Sequence, residues 1–130
     1  MFISQIRERR SIRKYTEKRV EPEKVEQIIE ALLRSPSSRG LNPWEFIVIT
    51  DKVLLEGLSK LKPHGSSFLE NAVLGIVVCA DPSIAETWVE DTAIAAIMGQ
   101  LTAESLGLGS CWIQVRARNY SSQQTAEAYI

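Results

Sequence analysis

Histidine occurs once in these 130 residues, as His64, and cysteine twice, as Cys79 and Cys111. One histidine leaves almost no material for a zinc-ligand cluster or a Ser-His-Asp triad, and His64 reads as a loop residue. The two cysteines lie inside apolar, strand-like runs, so they read as reduced structural thiols and not as a disulfide. Net charge is scarce too. A formal balance of −1 gives no whole-molecule attraction to nucleic acid or to an anionic membrane. The longest apolar run, "AVLGIVVCA" (72–80), is too short to cross a bilayer. The opening "MFISQIRERR" has no apolar core or small-residue cleavage site of a secretory signal. The expectation is a cytoplasmic protein with no nucleic-acid and no membrane partner. There is no internal repeat and no low-complexity linker.

What is present is an ordinary globular composition, 45% apolar and 24% charged, on a chain with room for one core, so residues 1–130 read as a single domain. The charge is unevenly placed. Residues 1 to 20 carry seven Lys or Arg against two acids, which suits one small anion better than a long polyanion.

"EPEKVEQIIEALLRSP" predicts a helix. Pro22 fits its first turn, Val25, Ile28, Ile29, Leu32 and Leu33 form its apolar stripe, and Pro36 stops it. "EFIVIT" (45–50) predicts a strand, followed by a short helix capped by Asp51 and running to about Leu61; "KPHGSS" (62–67) predicts a loop. The continuous run 72–80 predicts a strand buried on both faces. A long helix from about Ile84 to Leu106 is apolar on more than one side, which suits a core or a subunit interface, and "GLG" (107–109) ends it. "SCWIQV" (110–115) predicts a third strand, and another helix is expected to begin near Ser121. Helices alternating with three strands predict an α/β or α+β sandwich.

Three stretches carry more chemistry than their elements need. "RERRSIRKY" (7–15) puts Arg9, Arg10, Ser11 and Arg13 within five residues; guanidinium groups fork onto phosphate oxygens, although a solvated basic turn has the same composition. "PSSRGLNPWEF" (36–46) sets Pro36, Ser37, Ser38 and Arg39 between a helix stop and Trp44, which a plain helix-to-strand loop with a core tryptophan would also explain. "LGLGSCWIQ" (106–114) leads a glycine turn into Trp112, Ile113 and Gln114. A tight connection explains it as well, and it lacks the G-x-G-x-x-G spacing of a Rossmann site.

In this order and spacing the three stretches resemble the FMN-dependent nitroreductase family over nearly the whole chain. The resemblance implies an α+β, α-β-α sandwich with a central, mostly antiparallel sheet, assembled as an intertwined homodimer with FMN at the subunit interface. It implies that Arg9, Arg10 and Ser11 meet the FMN phosphate and ribityl chain, and that Arg13 lies near the flavin pyrimidine edge. A fixed cation there favours the charge that hydride arrival leaves on the ring. Pro36, Ser37, Ser38 and Arg39 match the loop that reaches the flavin from the neighbouring subunit. Trp112, Ile113 and Gln114 match the strand end beside the isoalloxazine ring, where a backbone N–H can reach N5.

The implied activity is an FMN-dependent oxidoreductase. It would pass hydride from NADH or NADPH through flavin N5 to a nitroaromatic, quinone or flavin acceptor by a ping-pong mechanism, with no catalytic side chain and no metal. The alternatives are a non-catalytic flavin-binding or structural protein, and a dehalogenase or flavin-fragmenting enzyme on the same scaffold. Two departures stand out. Asn42-Pro43-Trp44 replaces the Gln-Pro-Trp of many members, and the family's final strand and C-terminal extension are missing after Ile130, so the natural product is expected to be longer.

Overall fold

The apolar stripe of "PEKVEQIIEALL" decides the first packing contact. In the computed structural model, which describes residues 1–130, helix α2 (Pro22–Leu33) buries Ile28 and Leu32. Its first helical residue is Pro22, where a missing N–H costs nothing. Its last turn is closed by an Arg34–Glu30 ion pair at 2.7 Å. A shorter helix, α1 (Phe2–Glu8), precedes it; sequence patterning assigned nothing there.

The partner of α2 is the long helix α4 (Trp88–Ser105), whose buried positions are Asp91, Ala95, Gly99 and Ala103. These fall four apart on one stripe, and all but the first are small, so the two helices approach closely. A Cβ on Gly99 would stand 3.0 Å from Leu32 Cδ2. The remaining sides of α4 stay apolar, with Ile94, Ile97 and Met98 exposed. Gly107, at φ +76, turns the chain out of the helix, and Leu108 N donates to Ala103 O at 2.9 Å.

Strands β1 (Trp44–Ile49) and β2 (Gly75–Ala80) pair antiparallel, with Trp44 opposite Ala80 and Ile49 opposite Gly75. Trp44, Phe46, Ile76 and Ala80 pack onto Ile28, Leu32, Ala95 and Ala103 to form the core. Helix α3 (Lys52–Leu58), capped by Asp51 accepting from Leu54 N, lies against the sheet at Gly75, where a Cβ would come 2.8 Å from Leu55 Cδ2. The chain closes with α5 (Ala126–Tyr129), tied to α3 by Tyr129 Oη donating to Gly57 O at 2.9 Å. No helix is long and apolar enough to cross a membrane.

The α+β class holds, with four departures from expectation. The sheet has two strands, not three. Residues 110–115 form no strand, because a strand needs a ladder of backbone partners and this run has one parallel bridge, Ser110 to Ser11. β2 is half-buried throughout instead of buried on both faces, because one side of the sheet meets α2 and α4 while Ile47 on the other stays open. The long helix starts at Trp88, not Ile84, since Asp81 Oδ1 accepts from Ser83 N and Oγ (2.8 and 2.6 Å) and holds the preceding residues in a turn. The last helix begins at Ala126 rather than Ser121. Ser121 Oγ accepts from the amides of Gln123 and Gln124, and this local bonding competes with helix.

Candidate functional site

Helix α4 organises two separate polar regions, one at each end. At its N-terminal end lies the 36–42 loop. Ser37 Oγ donates to Asn42 Oδ1 (2.8 Å) and accepts from Asn42 N (2.9 Å), closing the loop on itself. Inside it Arg39 (φ 56), Gly40 (φ 63) and Asn42 (φ 47) take left-handed backbone. For arginine this conformation is strained by about 1 kcal/mol or more. Asp91, only 2% exposed, holds the loop to the helix: Oδ1 accepts from Ser38 N at 3.1 Å and Oδ2 from Thr87 Oγ1 at 3.0 Å. A buried carboxylate needs such donors. Between this loop and residues 84–87 lies a cavity of about 290 Å³.

Toward the other end, the N-terminal basic stretch joins the 110–114 segment. Ile12 N donates to Ser110 O at 2.9 Å, alongside the Ser11–Ser110 bridge, and Gln100 Nε2 of α4 donates to Ser110 Oγ at 3.4 Å. Gly109 makes the approach possible, because any Cβ there would lie 2.9 Å from Ile12 Cγ2. Arg9 sits at the C-terminal cap of α1 and Arg13 stands over the Phe68 ring, 5.9 Å from its centre. The ion pairs of the molecule are Lys18–Glu21, Lys24–Glu21 and Arg34–Glu30, so none of Arg9, Arg10 and Arg13 is neutralised by a carboxylate. Arg10 is partly engaged, with Nη1 donating to Arg7 O and Arg9 O at 3.1 and 3.0 Å. Trp112 is exposed; its Nε1 donates to Gln114 Oε1 at 3.0 Å.

Two groups at this end were not singled out by sequence. Lys62 Nζ donates to Gln114 O at 2.9 Å. Burial, and then the nearby Arg118 guanidinium, pull its pKa below the ordinary lysine value. Tyr15 donates to Ile12 O and tilts against Phe68. Burial, with a smaller contribution from Cys111, pushes its phenol up to about 12 against the opposing pull of Arg13. Asp91 was also missed; its only signal is that, with Glu90, it heads the alanine-rich run "TAIAAIMG".

The structure thus joins the stretch holding Arg9, Arg10, Ser11 and Arg13 to the segment leading into Trp112, Ile113 and Gln114, through Ser11 and Ile12 against Gly109 and Ser110. Pro36, Ser37, Ser38 and Arg39 lie elsewhere. Ser38 is anchored at residue 91 of α4 and Ser110 at residue 100, an axial offset of about 14 Å at the helical rise.

The class defined by this arrangement is a small α+β domain with a serine-arginine loop and an unneutralised basic edge set apart on one central helix. The chain belongs to the nitroreductase family, whose model matches residues 6–73. It is similar to the structure of an FMN-dependent nitroreductase from Clostridium difficile, with 50% identity and a TM-score of 0.96 over 98% of this chain and 74% of that one. A provisionally named nitroreductase from Desulfovibrio desulfuricans, solved in complex with FMN, is 30% identical, with a TM-score of 0.79 over 87% of this chain and 67% of that one. Among curated proteins, one from Archaeoglobus fulgidus, provisionally named as an NADH dehydrogenase/NAD(P)H nitroreductase, is 39% identical over 85% of this chain. The chain spans 65% of that relative's length.

Proposed function

We propose that this chain is an FMN-dependent NAD(P)H oxidoreductase of the nitroreductase type. The observation that supports the reading is the Ile12–Ser110 contact, which joins the basic stretch holding Arg9, Arg10, Ser11 and Arg13 to the start of the 110–114 segment. The donor set suits FMN: guanidinium groups without carboxylate partners, beside a hydroxyl, are what a phosphate takes up. When bound, FMN supplies hydride acceptance at N5 from NADH or NADPH and delivery to a nitroaromatic, quinone or flavin acceptor, the two substrates using one site in turn.

The protein's part is binding, orientation and charge. Arg9 and Ser11 hold phosphate, with Arg10 contributing the donors it does not spend on its own backbone. Arg13, held over Phe68, supplies a fixed cation, and Lys62 and Arg118 add positive charge near Gln114. The backbone of Trp112, Ile113 and Gln114 orients the ring.

The assembly we infer is a homodimer. In that dimer Pro36, Ser37, Ser38 and Arg39, displaced along α4 from the basic edge, would serve the flavin site of the second copy. The exposed Phe2, Ile94, Ile97 and Met98 give two copies an apolar surface to share. The test is to purify the protein, record the flavin spectrum and titrate anaerobically with NADH and NADPH. Bleaching of bound FMN and its recovery with a quinone or nitroaromatic is expected. FMN that stays oxidised would show a flavin-binding protein without turnover.

A further inference from the structure

The "KPHGSS" turn (62–67) is pinned more firmly than a connecting loop requires. Leu61 and Ser66 bury its two ends, at 3% and 0% exposure. Ser66 Oγ donates at 2.7 Å to the carbonyl of Ser59, the residue that closes α3. Gly65, at φ +92, bends the turn so closely that a Cβ there would lie 3.3 Å from Lys62 Cε. Lys62 Nζ in turn holds Gln114 O at 2.9 Å. A short 3₁₀ turn, Ser67–Asn71, follows directly and carries Phe68.

Phe68 meets the basic stretch twice. The Arg13 guanidinium stands 5.9 Å from its ring centre, and the Tyr15 ring lies 6.4 Å away, tilted by 54°. Tyr15 also donates to Ile12 O, which closes a short turn around Arg13. Arg13 makes none of the molecule's ion pairs, so the Phe68 ring is the contact that the structure gives its charge. An aromatic ring attracts a cation without neutralising it. A carboxylate would hold the arginine as well, but would cancel the charge.

We propose that Phe68 is a positioning residue of the flavin site. It fixes the place of the Arg13 cation, and the 62–68 segment, tied at its other end to Gln114 O, keeps that cation in register with the backbone assigned to the ring. The proposal rests on the flavin oxidoreductase reading and deepens it. Phe68, an uncharged residue, sets how strongly the site prefers reduced FMN, whose ring carries the added negative charge.

The test measures the two-electron reduction potential of FMN bound to the full chain, against a reference dye. Phe68→Leu changes no charge. It should lower the preference for reduced over oxidised FMN about threefold, the loss of an exposed cation–ring contact, which is about 14 mV for a two-electron couple. Phe68→Tyr keeps the ring and should stay at the wild-type potential. Phe68→Met keeps most of the volume without the ring, so it should match Phe68→Leu and gives the same reading where leucine loosens the fold. In protein that already carries Arg13→Gln, Phe68→Leu should cause no further shift, because the residue through which it acts is gone. A ring that served the fold alone would lower the denaturation midpoint and leave the potential untouched. That result overturns the proposal, and so does a shift of equal size with and without Arg13. Wild-type protein that binds FMN but is not bleached by NADH or NADPH overturns the oxidoreductase reading, while the potentials still decide the role of Phe68. Protein that takes up no FMN overturns both.

Discussion

The two ends of helix α4 are built on different principles. At the N-terminal end the serine loop is held by hydrogen bonds inside the chain. Ser37 and Asn42 close the loop, and buried Asp91 takes up Ser38 N and Thr87 Oγ1. Toward the C-terminal end the arginines are set in place by a backbone bridge, but their charges are left open. A closed loop can present its free donors to something else without rearranging. An open cluster of cations is satisfied only when an anion arrives. The pairing of a closed loop with an open cation cluster, offset from it along α4, motivates the two-copy site proposed above.

Breaking the platform both ends share should have the largest effect. Leu32, 2% exposed, fills the contact opposite Gly99, so Leu32→Ala should cost about 2–5 kcal/mol in chemical denaturation and loosen both regions together. Breaking one end alone comes next. Asp91→Ala leaves the Ser38 amide and the Thr87 hydroxyl without their acceptor and should cost about 1–3 kcal/mol, read as a lower denaturation midpoint. Asp91→Asn keeps the Oδ1 acceptor for Ser38 N and should cost less. At the opposite end, Arg9→Ala should leave the denaturation midpoint nearly unchanged and weaken FMN binding by about tenfold, the loss of one charge-assisted phosphate contact, measured by quenching of flavin fluorescence. If Asp91→Ala were neutral and Arg9→Ala unfolded the chain, the contrast would be reversed.

The smallest effect is a titration. Tyr15, near Arg13 and Cys111, has its phenol pushed up to about 12 from the ordinary 10. Because the folded value is the higher one, the stability this group contributes is fully present below pH 10 and is lost as pH rises toward 12. Phenolate absorbance should show one of the three tyrosines ionising later than the others, and Tyr15→Phe should remove that late component.

Local pattern was enough for α2, β1 and the glycine end of α4. Their signals (the stripe through Ile28 and Leu32, the β-branched run after Trp44, and Gly107) lie within a few residues of what they determine. The same reasoning overreached at 110–115. Aromatic and β-branched residues favour extended chain, but a neighbouring strand is a property of the fold, not of that stretch. The site followed the same rule. Arg9, Arg10, Ser11 and the serine loop stood out as compact motifs, whereas Asp91 and Lys62 matter through contacts 53 and 52 residues away in sequence. No window of local pattern spans that distance. Helix α1 went unassigned: it is seven residues long, and its apolar Phe2, Ile3 and Ile6 stay largely exposed.

The central claim, that loop and basic edge complete a flavin site only between copies, is tested by mixing two variants. One carries Arg9→Ala and Arg13→Ala at the basic edge. The other carries Ser38→Pro in the loop, which removes the amide that Asp91 accepts from. Each alone should bind FMN poorly. After unfolding and refolding together in equal amounts, half the dimers are mixed and each mixed dimer holds one intact site, so FMN binding should recover to roughly a quarter of the wild-type stoichiometry. No recovery above the separate variants, in a mixture shown by mass to have exchanged chains, would contradict the shared site.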